Sequence, residues 1–174
     1  LKAIKCRIYP NNTQQELLNK HFGCVRLVYN YFLAKVIAIG NKKKQFVGKY
    51  KRMDAQKELV QLKKDKYDFL KEVNSQSLQV ALQNLERGFK NFFEKRANIP
   101  KFKGKMNHNS FNVPQSVIVK DNKLIIPKFK KSPIKMKLHR EIDGKINQAT
   151  ISRTPSGKYF VSLLIDDGKE LPNR

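Results

Sequence analysis

The sequence predicts an α+β fold, a small antiparallel β-barrel split by an inserted helical bundle, and three observations carry that prediction. From Thr13 to Phe93 the apolar residues recur mainly at steps of three and four, the period of a helix with one buried stripe. On both sides of that block, in Ala3–Tyr9 and again beyond Val117, they recur at steps of two, as on strands with one dry face. A lone first strand cannot remain unpaired beside a bundle, so it joins the later sheet and the helices interrupt it. The expected layout is 1–10 and 100–167 in the barrel, 11–99 in the helical lobe and 168–174 as a linker.

In chain order, Ile4, Cys6 and Ile8 alternate with Lys5, Arg7 and Tyr9, and Pro10 ends the pairing. Thr13-x-x-Glu16 has the pattern of a capping box, in which hydroxyl and carboxylate satisfy free amides at a helix start. The following stripe, Leu18, Phe22, Val25, Tyr29, Phe32 and Val36, keeps phase through Gly23, so it forms one long helix or two collinear ones. Arg26 and Asn30 lie off the stripe, as solvated groups or as contacts to a phosphate backbone. Gly40–Arg52 is a basic connector. A second helix spans Asp54–Lys64 with Ala55, Leu59 and Leu62 on one side, and a short turn at Tyr67–Leu70 feeds a third.

That third helix, within Val73–Phe93, is the most strongly two-faced: Leu78, Leu82, Leu85, Phe89 and Phe92 form its dry stripe, and Gln79, Gln83, Glu86 and Lys90 its polar side. Asn74 or Ser75 is positioned to cap it. Beyond a basic stretch with Pro and Gly at Ile99–Ser110, the period changes to two. Asp121-Asn122 reads as a two-residue hairpin loop between Val117–Lys120 and Lys123–Ile126. Ile134, Met136 and Leu138 alternate with basic residues, and Pro155-Ser156-Gly157 separates Thr150–Arg153 from Lys158–Ile165.

Charge narrows the function. The chain has 37 Lys+Arg against 14 Asp+Glu, a formal net charge of +23, so the compact state repels itself unless a polyanion neutralises it. Nucleic acid is the first expected partner. A membrane is not expected, because charged residues interrupt every apolar run and no anchor is flanked by the basic residues. The N-terminal stretch lacks the apolar block of a secretory signal, which points to the cytoplasm. Cys6 and Cys24 have no metal-ligand spacing, and His21, His108 and His139 are scattered, so no metal site and no catalytic role is assigned to them.

Several blocks, taken in order, carry a resemblance: Lys5-Cys6-Arg7-Ile8-Tyr9-Pro10, Gly23-Cys24-Val25-Arg26-Leu27-Val28-Tyr29-Asn30, Ser77-Leu78-Gln79-Val80-Ala81-Leu82-Gln83-Asn84-Leu85, Phe89-Lys90-Asn91-Phe92-Phe93, Pro100-Lys101-Phe102-Lys103, Ser110-Phe111 and Ile126-Pro127-Lys128. Their series and spacing resemble the N-terminal half of the TnpB (OrfB) proteins of bacterial insertion sequences. The resemblance implies a wedge-type barrel interrupted by a recognition lobe, in an RNA-guided DNA endonuclease that holds a guide RNA and reads a short duplex motif beside its target. Cleavage in that family belongs to a following RuvC-like domain, whose carboxylates bind divalent metal, Mg. The sequence ends at Arg174 before such a domain, and Asp166-Asp167 read as a solvated strand end, so this stretch alone is expected neither to cut DNA nor to need a cofactor.

By the same resemblance, Gln79, Ser75, Gln76 and Asn112 are the candidates for the DNA motif, Gln79 foremost because a glutamine amide can donate to and accept from base edges. Lys5, Arg7, Arg26, Lys101 and Lys103 are the candidates for RNA and phosphate, and Tyr9 and Phe102 for stacking on bases. Phe111 fits core packing better than stacking. Expected partners are guide RNA and motif-bearing duplex DNA, bound by a monomer. Two rival readings share the charge: a stand-alone DNA-binding repressor, nuclease-dead or of helix-turn-helix type, and a structural RNA-binding protein.

Overall fold

The structure is a computed structural model and describes residues 1–42, 49–106 and 109–168. It is α+β, and the chain divides into two compact units, Leu1–Phe22 with Met106–Arg174, and Gly23–Lys105. Parts of the basic connector, His108 and nearly all of the 168–174 linker lie outside the described residues.

The first unit is built on seven antiparallel strands: β1 (Lys2–Tyr9), β2 (Asn109–Val113), β3 (Ile118–Lys120), β4 (Lys123–Ile125), β5 (Ile134–Lys137), β6 (Lys145–Arg153) and β7 (Tyr159–Asp166). They run side by side in the order β2-β6-β7-β1-β5-β4-β3. The first strand therefore sits inside the later sheet, between β7 and β5, as an unpaired N-terminal strand requires. The expected barrel does not close. The edge strands β2 and β3 do not pair with each other among the described residues, and β3 and β4, three residues each, are too short to carry the sheet round to β2.

One face of the sheet is dry. Ile4, Cys6 and Ile8 of β1 share it with Val161, Leu163 and Ile165 of β7, Ala149 and Ile151 of β6, Phe111 and Val113 of β2, and Ile134 and Met136 of β5. It is covered by the first turns of α1 (Asn12–Lys42), where His21 stacks on Phe111 at 4.8 Å and Phe22 meets Phe111 edge-on at 5.3 Å. Cys6 and Cys24 are buried thiols outside any disulfide, and Phe111 belongs to the core.

Helix α1 is continuous through Gly23, and its whole predicted stripe is buried. Its start is capped two residues earlier than Thr13-x-x-Glu16 proposes. The amide of Gln14 donates to Asn11 Oδ1 and the amide of Asn11 to Gln14 Oε1, both at 2.9 Å, a reciprocal box built from amides. Gln14 wins that place because its Nε2 also donates to the carbonyls of Ser132 and Pro133 and to the Ser132 hydroxyl, contacts that no local pattern reveals. Taken over 12–40, this helix is long and apolar enough to cross a membrane, although Glu16, Lys20, Arg26 and Lys35 interrupt it; its apolar stripe is instead buried within the protein.

Two other departures are local. β2 begins at Asn109 and Ser110, inside the stretch that reads as basic loop, and Asn109-Ser110-Phe111-Asn112-Val113 is a short strand with only two apolar residues. β6 begins at Lys145, earlier than Thr150, with a register shift between Ile146 and Gln148 that breaks the period of two. The Asp121-Asn122 loop is as expected, with both residues at positive φ, 53° and 56°, as a tight hairpin turn requires.

In the second unit, α2 (Arg52–Lys64) buries Ala55, Leu59 and Leu62, a 3-10 turn covers Asp68–Glu72, and α3 (Ser75–Phe93) buries Leu78, Ala81, Leu82, Leu85 and Phe89. Asn74 caps α3: its Oδ1 accepts from the amide of Gln76 at 3.3 Å, and its Nδ2 donates to the Ser77 hydroxyl at 3.1 Å. Tyr31 and Lys35 of α1 both reach Glu58 of α2.

Candidate nucleic-acid interface

Antiparallel pairing converts the alternation of β1 into rows across the second face of the sheet. Arg7 lies opposite Phe160 of β7 on one side and Lys137 of β5 on the other. Lys5 lies opposite Ser162, Ser162 opposite Thr150, and Thr150 opposite Asn112. Tyr9 lies opposite Lys135, Lys135 opposite Lys123, and Lys123 opposite Lys120.

The side chains on this face interleave. The Arg7 guanidinium carbon is 5.2 Å from the Tyr9 ring centre and 5.7 Å from that of Phe160, and Lys5 Nζ is 4.8 Å above the same Phe160 ring. Each such contact is worth about 0.5–1 kcal/mol at an exposed site. Arg7 Nε is buried without an acceptor among the described residues. Arg7 faces Lys137, and Lys123 faces both Lys135 and Lys120, pairings of like charge that weaken a sheet unless an anion lies over them. At this end an open groove of about 480 Å³ is lined by Tyr9, Lys123, Lys135 and Lys137, with Asp121 its single carboxylate. Chemically, this face can hold phosphates on its cations and a base on its rings. Asn112 stands at the opposite end of its row, half-buried, its Oδ1 accepting from the Thr150 hydroxyl at 2.8 Å.

In the second unit, Lys101, Phe102 and Lys103 share one loop, 100–105, and all three are exposed. Asn30 grips its backbone: Asn30 Nδ2 donates to the Lys103 carbonyl at 2.9 Å, and the Lys103 amide donates to Asn30 Oδ1 at 2.8 Å. Lys103 Nζ sits 4.3 Å over the Tyr29 ring, and although the residue as a whole is exposed, the loss of water around its ammonium lowers its pKa. Arg26 is half-buried and already engaged. Ser75, Gln76 and Gln79 occupy the first turns of α3. Ser75 is exposed, while Gln76 and Gln79 are half-buried and Gln79 Oε1 is closed off from solvent without a donor among the described residues.

The structure thus gathers Lys5, Arg7 and Tyr9 on one sheet face, Lys101, Phe102 and Lys103 on one loop, and Ser75, Gln76 and Gln79 on one helix start. Sequence reading missed Phe160 and the lysines 120, 123, 135 and 137. Tyr159-Phe160-Val161-Ser162-Leu163-Leu164-Ile165 is apolar on both faces, so its period hides which side Phe160 takes; only the register with Arg7 assigns it. Among the described residues there is no group of three His, Cys, Asp or Glu that could hold a metal ion.

A strongly basic α+β chain with cations and rings interleaved on an open sheet face has the features that mark the class of nucleic-acid-binding proteins. The family described as the helix-turn-helix domain of OrfB from IS605 matches residues 1–43. In this structure that span holds β1 and the single unbroken helix α1. Over 173 residues the chain is 32% identical to a Streptomyces pristinaespiralis protein named as an RNA-guided DNA endonuclease, covering 95% of this chain and 42% of that protein. It is 29% identical over 175 residues to an Escherichia coli K12 protein named as RNA-guided DNA endonuclease InsQ, covering 99% of this chain and 42% of that protein. It is also 38% identical over 114 residues to the Salmonella dublin virulence protein VsdF, covering 60% of this chain and 94% of VsdF. The chain belongs to the TnpB (OrfB) family of insertion-sequence proteins. It spans less than half the length of the two endonuclease-named relatives.

Proposed function

We propose that the chain is the nucleic-acid-binding part of a TnpB-type RNA-guided DNA endonuclease, which holds a guide RNA and reads a short DNA motif beside the target. The observation that carries this reading is the opposed rows of Arg7 and Lys137 and of Lys120, Lys123 and Lys135, interleaved with Tyr9 and Phe160. A sheet gains nothing from facing like charges alone, but phosphates laid across them remove the repulsion. Motif reading falls to the start of α3, where Ser75, Gln76 and Gln79 lie beside the helix N-terminus. Cleavage and its divalent metal belong, on this reading, to carboxylates outside these residues. Such a protein works in the cytoplasm, where its DNA is.

The test is to express the chain beside its own flanking DNA, wash at high salt and sequence the RNA that stays bound. One defined transcript from the element's end supports the proposal. Random cellular RNA contradicts it, and with tight binding to a palindromic duplex it favours a stand-alone DNA-binding protein.

A further inference from the structure

Loop 100–105 is anchored at two points in its own unit. At its start, Pro100 rests on α3 at Gly88, where a Cβ would come within 3.0 Å of Pro100 Cγ, so a side chain there would press the ring away. Three residues later the single amide of Asn30 satisfies both backbone groups of Lys103, as a neighbouring strand would, and the Lys103 ammonium folds back over Tyr29. Between these anchors stand Lys101 and Phe102, both exposed, Phe102 to 55%. A large ring held out in water beside an ammonium, on a chain of net charge +23, matches the π-face and phosphate of a nucleotide. In a duplex the base faces are covered by their neighbours, so the fitting partner is an unpaired one.

We propose that Asn30 is a positioning residue for a preformed single-strand contact, fixing the loop so that Phe102 receives an unpaired base and Lys101 the adjoining phosphate. The inference rests on the nucleic-acid reading above and adds to it the strand type and the residue that sets the loop. Its energetic basis is preorganisation: the loop is ordered before the ligand arrives, so less entropy is lost on binding.

The experiment measures fluorescence anisotropy of the full chain with a short labelled single-stranded RNA, the same sequence as single-stranded DNA, and the DNA duplex. Phe102→Ala is expected to lower single-strand affinity by about tenfold and duplex affinity by less than about twofold. Asn30→Ala is expected to lower single-strand affinity by about fivefold, to speed hydrogen exchange at the Lys103 amide, and to add little in the Phe102→Ala background, because both act through one contact. Unchanged single-strand binding by Phe102→Ala, or losses that multiply in the double variant, would overturn the proposal; Phe102 is exposed, so that variant folds whatever Asn30→Ala does. If the unaltered chain binds no probe, the nucleic-acid reading itself falls. If it binds all three and Phe102→Ala binds them equally well, only the role of the loop falls. RNA held more tightly than single-stranded DNA would mark a guide as the ligand, and the reverse order a displaced DNA strand.

Discussion

Asn11 and Gln14 decide where the long helix begins, and they make a discriminating pair of predictions. Asn11→Ala should cost about 1 kcal/mol of stability, the usual worth of a helix cap, whereas Thr13→Ala should change stability by less than about 0.5 kcal/mol. Urea unfolding of the two variants checks this, and a larger loss at Thr13 would reinstate the other box. His21 gives a pH signature. It is fully buried, its Nδ1 donates to the Leu17 carbonyl at 2.8 Å, and burial drives its pKa down from 6.5 to about 4. Between those values the unfolded chain binds the proton and the folded chain does not, so stability falls as pH drops through that window. The loss should be on the order of 3 kcal/mol by pH 4, and His21→Phe should remove that part of the pH dependence without adding charge. A flat difference between the two proteins from pH 7 to pH 4 would contradict it. Residues such as these mark the limit of sequence reading. Gln14 and His21 are placed by partners 118 and 90 residues away, Ser132 and Phe111, and no window of sequence contains both ends.

At the scale of elements the sequence was largely legible, because period is a local property. The three helices, the first strand and the hairpin loop at Asp121-Asn122 follow from steps of three and four, steps of two and turn chemistry. Sheet closure was not, since it depends on strand lengths and on whether two edges meet. The candidate site was half legible: alternation puts Lys5, Arg7 and Tyr9 on one face, but register alone brings in Phe160, Lys135 and Lys137. Exchanging Lys5 and Arg7 together for Gln should lower affinity for single-stranded RNA and reduce the salt slope by about 1.4, at about 0.7 for each phosphate no longer neutralised. A titration over salt concentration checks it, and an unchanged slope would move the interface off this face. On α3, Gln79→Ala should weaken binding to a motif-bearing duplex while leaving nonspecific DNA binding nearly unchanged. Because Gln79 Oε1 has no donor within the described fold, the same change should cost less than about 1 kcal/mol of stability. Equal losses on both duplexes would end its role in reading sequence.

Across the whole molecule, a net charge of +23 on 174 residues sets up self-repulsion in the compact state that a bound polyanion would relieve. At low salt, the thermal midpoint should rise when single-stranded RNA is added, by linkage, and rise less when added salt screens the same charges. On the proposed reading the chain binds nucleic acid over several surfaces, with the sheet face the most developed of them. The most direct measurement of that claim is ultraviolet cross-linking of the full chain to bound RNA, followed by identification of the modified residues. The account predicts adducts at Tyr9 and Phe160, with Phe102 a further site. Adducts confined to α2 and absent from the sheet face would contradict it.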